Sequence, residues 1–293
     1  MKGLVVRGHG RHYIVEDEQG VQHHCHPRGK KSECVVGDRV QWVVSGDEGV
    51  IEKVEPRRNL LFRQDEWKTK SFAANLDQLL VLVAVEPVFS ESQLARALIA
   101  AESAGIPARI ALNKTDLPGT PQARERLAPY TAMGLEVMDV ALRADPQASR
   151  DLLLPWLEGK STFVLGPSGT GKSTLINLLI PDAKAQIGEI SQALNSGRHT
   201  TTTTQWYWQD RAAQTALIDS PGFQEFGLRQ IEPQQLPKLM PDIRAHAECR
   251  FYNCTHQHEP GCGVIAAVEA GQIAASRFRI YGEILEELSS RRW

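Results

Sequence analysis

The chain has 293 residues, enough for two domains or three small ones, and its 42% hydrophobic and 23% charged residues allow a substantial buried core. With 33 Lys+Arg against 35 Asp+Glu, the formal charge of -2 gives no global case for nucleic-acid binding. The longest apolar run, Leu79 to Val85, is too short to span a bilayer, Gly, Arg and His interrupt the first thirteen residues before a secretory apolar region forms, and five Cys bunched towards the ends do not form a disulfide framework. A soluble protein of the reducing cytoplasm, without a membrane partner, is expected.

Residues 3–55 alternate short β-rich runs (Leu4–Val6, Tyr13–Val15, Val40–Val44, Val50–Val54) with Gly- and Asp-rich turns, the pattern of a small barrel or sandwich. A linker, Pro56 to Asn59, leads into a basic stretch through Arg63, Lys68 and Lys70. Residues 1–72 hold 13 Lys+Arg against 11 Asp+Glu and five of the nine His, whereas residues 73–225 hold 12 against 16. A mildly basic module beside an acidic one suits a polyanion-facing part next to a catalytic part.

From residue 75 the period changes. Leu79–Val85 is a buried parallel strand by its unbroken apolarity, Ser92–Ala104 reads as a helix, and Ala108–Leu112 as the next strand. Further strands are expected at Leu135–Val137, Thr162–Leu165 and Thr215–Ile218, with a helix over Lys172–Leu179. Strands alternating with helices predict a doubly wound α/β sheet. From about residue 230 the chain is Cys/His-rich and then helical, with Ile273, Tyr281, Ile284, Leu285 and Leu288 on one face.

Three motifs carry the chemistry. Gly166-Pro167-Ser168-Gly169-Thr170-Gly171-Lys172-Ser173 is a complete phosphate loop between a predicted strand and a predicted helix. Its glycines let amides turn around phosphates, Lys172 would bridge the β- and γ-phosphates, and Ser173 would ligate Mg²⁺, with Thr174 following in the helix. Asn113-Lys114-Thr115-Asp116 ends the Ala108 strand. There Asp116 can accept from guanine N1–H and the exocyclic amine, donors that adenine does not offer; Asn113 would brace the loops, and the Lys114 stem would lie along the base. Asp219-Ser220-Pro221-Gly222 supplies the third element, Asp219 holding Mg²⁺ through water and the Gly222 amide meeting the γ-phosphate. Together they specify a GTP-hydrolysing module.

The base motif precedes the phosphate loop, the reverse of the ordinary GTPase order, so the module is circularly permuted. Asp219 then lies near its end and runs into a segment with Cys249-x4-Cys254-x-His256-x5-Cys262, a closed tetrahedral Zn²⁺ shell. His258 is the second choice for the imidazole. His23, His24, Cys25, His26 and Cys34 do not form another site, because His24 and His26 share one strand face and Cys25 takes the other. Trp206, Tyr207 and Trp208 are expected to pack as alternating strand residues.

The whole pattern resembles the ribosome small-subunit-dependent GTPase A family of bacteria. The likeness runs through Val36-Gly37-Asp38-Arg39-Val40, Asn113–Asp116, Gly166–Thr174, Gly197-Arg198-His199-Thr200-Thr201-Thr202, Asp219–Gly222 with Glu225-Phe226-Gly227-Leu228, and Cys249–Cys262. It implies an OB-fold RNA-binding domain over 1–62, a circularly permuted GTPase domain over 63–228 and a mainly helical zinc-binding domain over 229–293. It further implies docking on the small ribosomal subunit and its rRNA near the decoding region during late maturation, with the subunit stimulating hydrolysis. By the same resemblance Thr200 or Thr201 joins Ser173 on Mg²⁺, Thr201 being the one chosen.

Where many GTPases place a water-positioning Gln after Asp-x-x-Gly, Phe223 stands here, which predicts slow intrinsic hydrolysis. His199 is the candidate substitute, with RNA contact its alternative role and Gln224 a third option. The pair that usually supports guanine O6 is reduced to Ala141, whose backbone N–H would make that contact. RNA would be met by the barrel face, the Arg57–Lys70 linker or the C-terminal domain. A monomer is expected. Two other readings are an RNA-binding assembly factor whose nucleotide site is structural and a permuted GTPase of another ribonucleoprotein; intact Lys172, Ser173, Asp116 and Asp219 disfavour the first, and the flanking domains the second. A kinase is weaker still, since Asn113–Asp116 selects guanine and no acceptor site is evident.

Overall fold

The computed structural model describes residues 1–29, 34–64, 69–185, 204–220 and 226–290. Five strands come first: β1 (Lys2–His9), β2 (His12–Asp17), β3 (Gln22–Pro27), β4 (Arg39–Ser45) and β5 (Glu48–Val54). They follow the order β1-β2-β3-β5-β4 and close through β1–β4, with only β3–β5 parallel. This is the small barrel expected from the short runs, and closure removes its free edges. Val5, Val15, Cys25, Val40, Trp42 and Ile51 fill it. Cys25 points inward while His24 is exposed, His23 bonds Asp17 at 2.8 Å, and His26 meets Glu48 at 3.2 Å. Among the described residues, no metal-capable cluster forms there.

The segment read as linker and basic stretch is instead partly a hairpin, β6 (Leu60–Gln64) and β7 (Thr69–Ala74). It carries Leu61 and Phe72 into the main core; Phe72, Ala73 and Ala74 are buried in succession, so no apolar/polar alternation announces the hairpin. Lys68 lies outside the described residues. Gly37 joins barrel to hairpin: its φ is +89°, and a Cβ there would lie 2.2 Å from the Ala74 carbonyl oxygen.

Joined to the barrel through β1–β12, the rest of the same sheet runs β10 (Val137–Asp139), β9 (Ala108–Asn113), β8 (Gln78–Ala84), β11 (Ser161–Leu165), β13 (Thr215–Asp219) and β12 (Gln205–Asp210). Every pair is parallel except β12–β13. All residues of β8, β11 and β13 are buried, as strands covered on both faces must be. The helices α1 (Glu91–Ser103) and α2 (Thr120–Ala132) contribute to the core on one face; α3 (Pro146–Leu157) and α4 (Lys172–Leu179) contribute to that on the other. Ser90 caps α1 by accepting from the Gln93 amide, and Asp145 caps α3 by accepting from the Ala148 amide. On β12 Trp206 and Trp208 share one face, with ring centroids 5.3 Å apart, and Tyr207 takes the other, as alternation requires.

Beyond residue 226 come a 3₁₀ turn (Pro233–Leu239), α5 (Pro241–Ala245), α6 (Gly263–Glu269) and α7 (Ala275–Ser289). The buried stripe of α7 includes Tyr281, Ile284 and Leu288 as expected, together with Ile280 and, unexpectedly, Arg277; Leu285 is half-buried. The Arg277 guanidinium can be buried because Asp242 accepts from it at 2.8 and 3.1 Å and the Tyr130 ring lies 5.0 Å away. This cluster, with the Arg96–Glu287 and Arg244–Glu102 ion pairs, packs the C-terminal helices onto α1 and α2.

Candidate nucleotide and metal sites

The C-terminal ends of β8, β9, β11 and β13 lie side by side, and the loops leaving β9, β11 and β13 carry the three motifs. Asn113, at the end of β9 and 4% exposed, ties two loops together. Its Nδ2 donates to the Thr170 carbonyl at 2.8 Å, and its Oδ1 accepts from the Leu142 amide at 3.1 Å. Lys114 adopts a left-handed φ of +64° and donates to the Glu86 carbonyl, while Asp116 stays exposed at the loop surface. The Ala141 amide, expected to face guanine O6, instead donates to Ser149 Oγ at 3.1 Å. Ser149 is a buried helical serine that the sequence pattern did not single out, since nothing local distinguishes it from a core filler.

Glycine is required where the phosphate loop passes its neighbours. A Cβ on Gly171, whose φ is +105°, would sit 2.5 Å from Asn113 Nδ2. One on Gly166 would meet the Leu82 carbonyl oxygen at 2.3 Å. Thr170 Oγ1 closes the turn by donating to the Pro167 carbonyl at 2.9 Å, and Ser168 and Gly169 form its outer bend. Lys172 and Ser173 open α4, Thr174 following, so the first-turn amides face the loop without intrahelical acceptors.

Lys172 Nζ donates to the Gly166 and Pro167 carbonyls at 2.7 and 3.1 Å. Burial pushes its ammonium down to about 8, opposed in part by the Asp219 charge. Asp219, 2% exposed at the end of β13, is pushed up to about 6 by burial, with Lys172 and the Ser220 amide pulling the other way. Its Oδ1 is buried and accepts no hydrogen bond among the described residues. An orphaned carboxylate oxygen coupled to a half-buried lysine fits a site completed by phosphate and a hydrated Mg²⁺. Ser220 anchors the strand end by donating to the Val164 carbonyl at 2.8 Å. His199, Thr200, Thr201, Gly222, Phe223 and Gln224 lie outside the described residues.

The second site draws Cys249, Cys254, His256 and Cys262 together, with all four ligand atoms within 4.8 Å of one another. Cys249 and Cys262 sulfurs are 3.7 Å apart, and His256 Nδ1 lies 3.3 and 3.4 Å from them. Tetrahedral bonds of ~2.3 Å to sulfur and ~2.0 Å to nitrogen demand edges of roughly 3.8 and 3.5 Å. The shell therefore fits structural Zn²⁺. His258 is exposed and is not in the cluster. The loop has an organiser that spacing did not reveal, Glu259. Its carboxylate accepts from the Thr255 amide and hydroxyl at 2.6 Å and from the Gln257 and His258 amides at 3.0 and 3.1 Å. Burial alone would raise its pKa, but these donors hold it far below the carboxylate range.

Comparison with known proteins follows the same lines. A family profile described as RsgA GTPase matches residues 54–229. A protein of Variovorax paradoxus (strain S110) called small ribosomal subunit biogenesis GTPase RsgA is 62% identical over 297 residues, covering 99% of this chain and 93% of its own. Its namesake from Burkholderia pseudomallei (strain 1710b) is 53% identical, covering 98% and 92%. Among solved structures, YjeQ from Thermotoga maritima is similar with a TM-score of 0.78 and 31% identity over 99% of each chain. YloQ, described as a circularly permuted GTPase, has a TM-score of 0.71 and 26% identity, covering 100% of this chain and 96% of its own.

Proposed function

The chain belongs to the RsgA GTPase family, and from that premise we propose that its GTP hydrolysis serves late maturation of the small ribosomal subunit, whose arrival accelerates turnover. The observation that carries the nucleotide reading is the double tie of Asn113, which holds the base loop and the phosphate loop in one frame. Asp116 selects guanine, Lys172 leaves its carbonyl partners for the phosphates, and the first turn of α4 receives the β-phosphate. Bound Mg²⁺, held by Ser173, Thr201 and, through water, Asp219, would neutralise charge developing on the phosphates. The Gly222 amide would meet the γ-phosphate, as the Asp219–Gly222 motif implies, and His199 is the candidate to orient the attacking water.

RNA contact is assigned to the barrel and the zinc-binding domain. On the barrel Arg11, His24 and Arg28 are exposed. The loop between the first two zinc ligands carries the exposed rings of Phe251 and Tyr252, which suit stacking on unpaired bases. Arg57, half-buried, bonds Asp38 at 2.7 and 2.8 Å, which argues for a structural role at that end of the expected basic linker. No helix among the described residues is long and apolar enough to cross a membrane. A monomer acting in the cytoplasm fits a protein that works on ribosomal subunits.

The test is GTP turnover by the protein alone, with small subunits and with large subunits, Lys172→Ala serving as control. Strong stimulation by small subunits only, abolished in Lys172→Ala, supports the proposal. No stimulation by either subunit, with RNA binding retained, would favour a binding protein whose nucleotide site is structural.

A further inference from the structure

Strand β12 has the nucleotide sheet on one edge and the barrel on the other. Gln205 lies opposite Asp219 on one side and opposite Arg7 of β1 on the other. Directly paired strand residues share a face, so Arg7, Gln205 and Asp219 line up across three strands on the face that carries Lys172. Arg7 Nη2 donates to Gln205 Oε1, tying the barrel to the start of β12. A second tie grips the other end. Glu16 of β2, 4% exposed, accepts from Trp208 Nε1 at 2.8 Å and from the two Arg211 terminal nitrogens at 2.6 and 3.0 Å. Arg211 sits in the turn between β12 and β13, with its guanidinium 5.1 Å from the Trp208 ring.

Both ties leave the barrel and end on the hairpin that delivers Asp219. A buried carboxylate with three donors is costly to rearrange, so Glu16 admits few alternative placements of this hairpin. The base loop and phosphate loop lie on other strands of the sheet.

Resting on the role given to Asp219 above, we infer that Arg7 and Glu16 are positioning residues for GTP hydrolysis, acting through β12 on Asp219. The barrel holds this strand at both ends, and a displacement of the barrel by a bound partner reaches the nucleotide site through it.

The test measures kcat and KM for GTP, GDP affinity and thermal unfolding of the full chain for Arg7→Ala, Arg7→Lys, Glu16→Gln and Asp219→Asn. Arg7→Ala and Glu16→Gln should each lower kcat by about two- to thirtyfold, the reach of coupling through one packed network. GDP affinity should stay unchanged, and Arg7→Lys should recover part of the loss. Wild-type kcat in both variants, with Asp219→Asn inactive, would make the ties merely structural and overturn the inference. Parallel losses of kcat and GDP affinity would overturn it too, as general damage. Wild-type turnover in Asp219→Asn would remove the role of Asp219 itself. Arg7 is exposed, so Arg7→Ala carries the test should Glu16→Gln not fold.

Discussion

Asn113 Nδ2 lies 2.8 Å from the Thr170 carbonyl oxygen, a hydrogen bond between residues 57 apart that joins the loop after β9 to the loop after β11. Asn113→Ala leaves that carbonyl and the Leu142 amide without their partners, at a cost of about 1–3 kcal/mol for each buried group. We expect a lower melting temperature and a GDP affinity reduced by at least about tenfold. Isothermal titration and a thermal melt on the same preparation check both. Unchanged affinity would mean that the two loops are aligned by other contacts.

The half-buried Lys172 predicts a pH dependence of nucleotide binding. In the free protein burial holds Lys172 at about 8, and a bound phosphate favours the charged form, so its pKa is higher in the complex. Between those values binding takes up a proton, and affinity falls as pH rises through about 8. GDP affinity in metal-free buffer should drop about tenfold from pH 7 to pH 9. Lys172→Ala should bind more weakly and lose this dependence; a flat wild-type profile would contradict the assignment.

Zinc removal should expose three thiols and no more. Cys249, Cys254 and Cys262 form the shell with His256, whereas Cys25 and Cys34 are buried in the barrel and pushed up to about 11 by desolvation. Treatment with chelator and iodoacetamide at pH 7.5, followed by peptide mass spectrometry, should show alkylation confined to the three C-terminal cysteines. Equal labelling of Cys25 would show that the barrel opens with the metal site.

Two ion pairs of α7 should behave differently. Arg277 is buried and the Asp242 side chain is only 9% exposed, so Arg277→Ala should cost about 3–5 kcal/mol by stranding the carboxylate. Arg279 and Glu283 are exposed, and Arg279→Ala should cost less than about 0.5 kcal/mol. Denaturant unfolding of the two variants distinguishes them; equal effects would place Arg277 outside the supporting core.

The local motifs were legible because each depends on chain geometry over a few residues. Gly166 to Ser173 needs glycine at Gly166 and Gly171, where a Cβ would collide, and unbroken apolarity marked Leu79–Val85, most of β8, as a buried parallel strand. The hairpin β6–β7 escaped notice because its strands show no apolar/polar alternation and Arg63 and Lys70 suggest a linker. Ser149 and Glu259 escaped because their roles are defined by the amides they accept from, which no spacing encodes.

By itself the sequence determined the permuted order of the three motifs and the four residues Cys249, Cys254, His256 and Cys262 that cluster, with His256 preferred to His258, all consequences of residue chemistry at short range. Only the tertiary structure decided that β12 is flanked by the barrel, that Arg277 is a core residue, and that Ala141 spends its amide on Ser149. These outcomes depend on register between distant segments: Glu16 and Arg211 meet across 195 residues. A buried charge is tolerated only where such a partner arrives, and that arrival is a property of the fold.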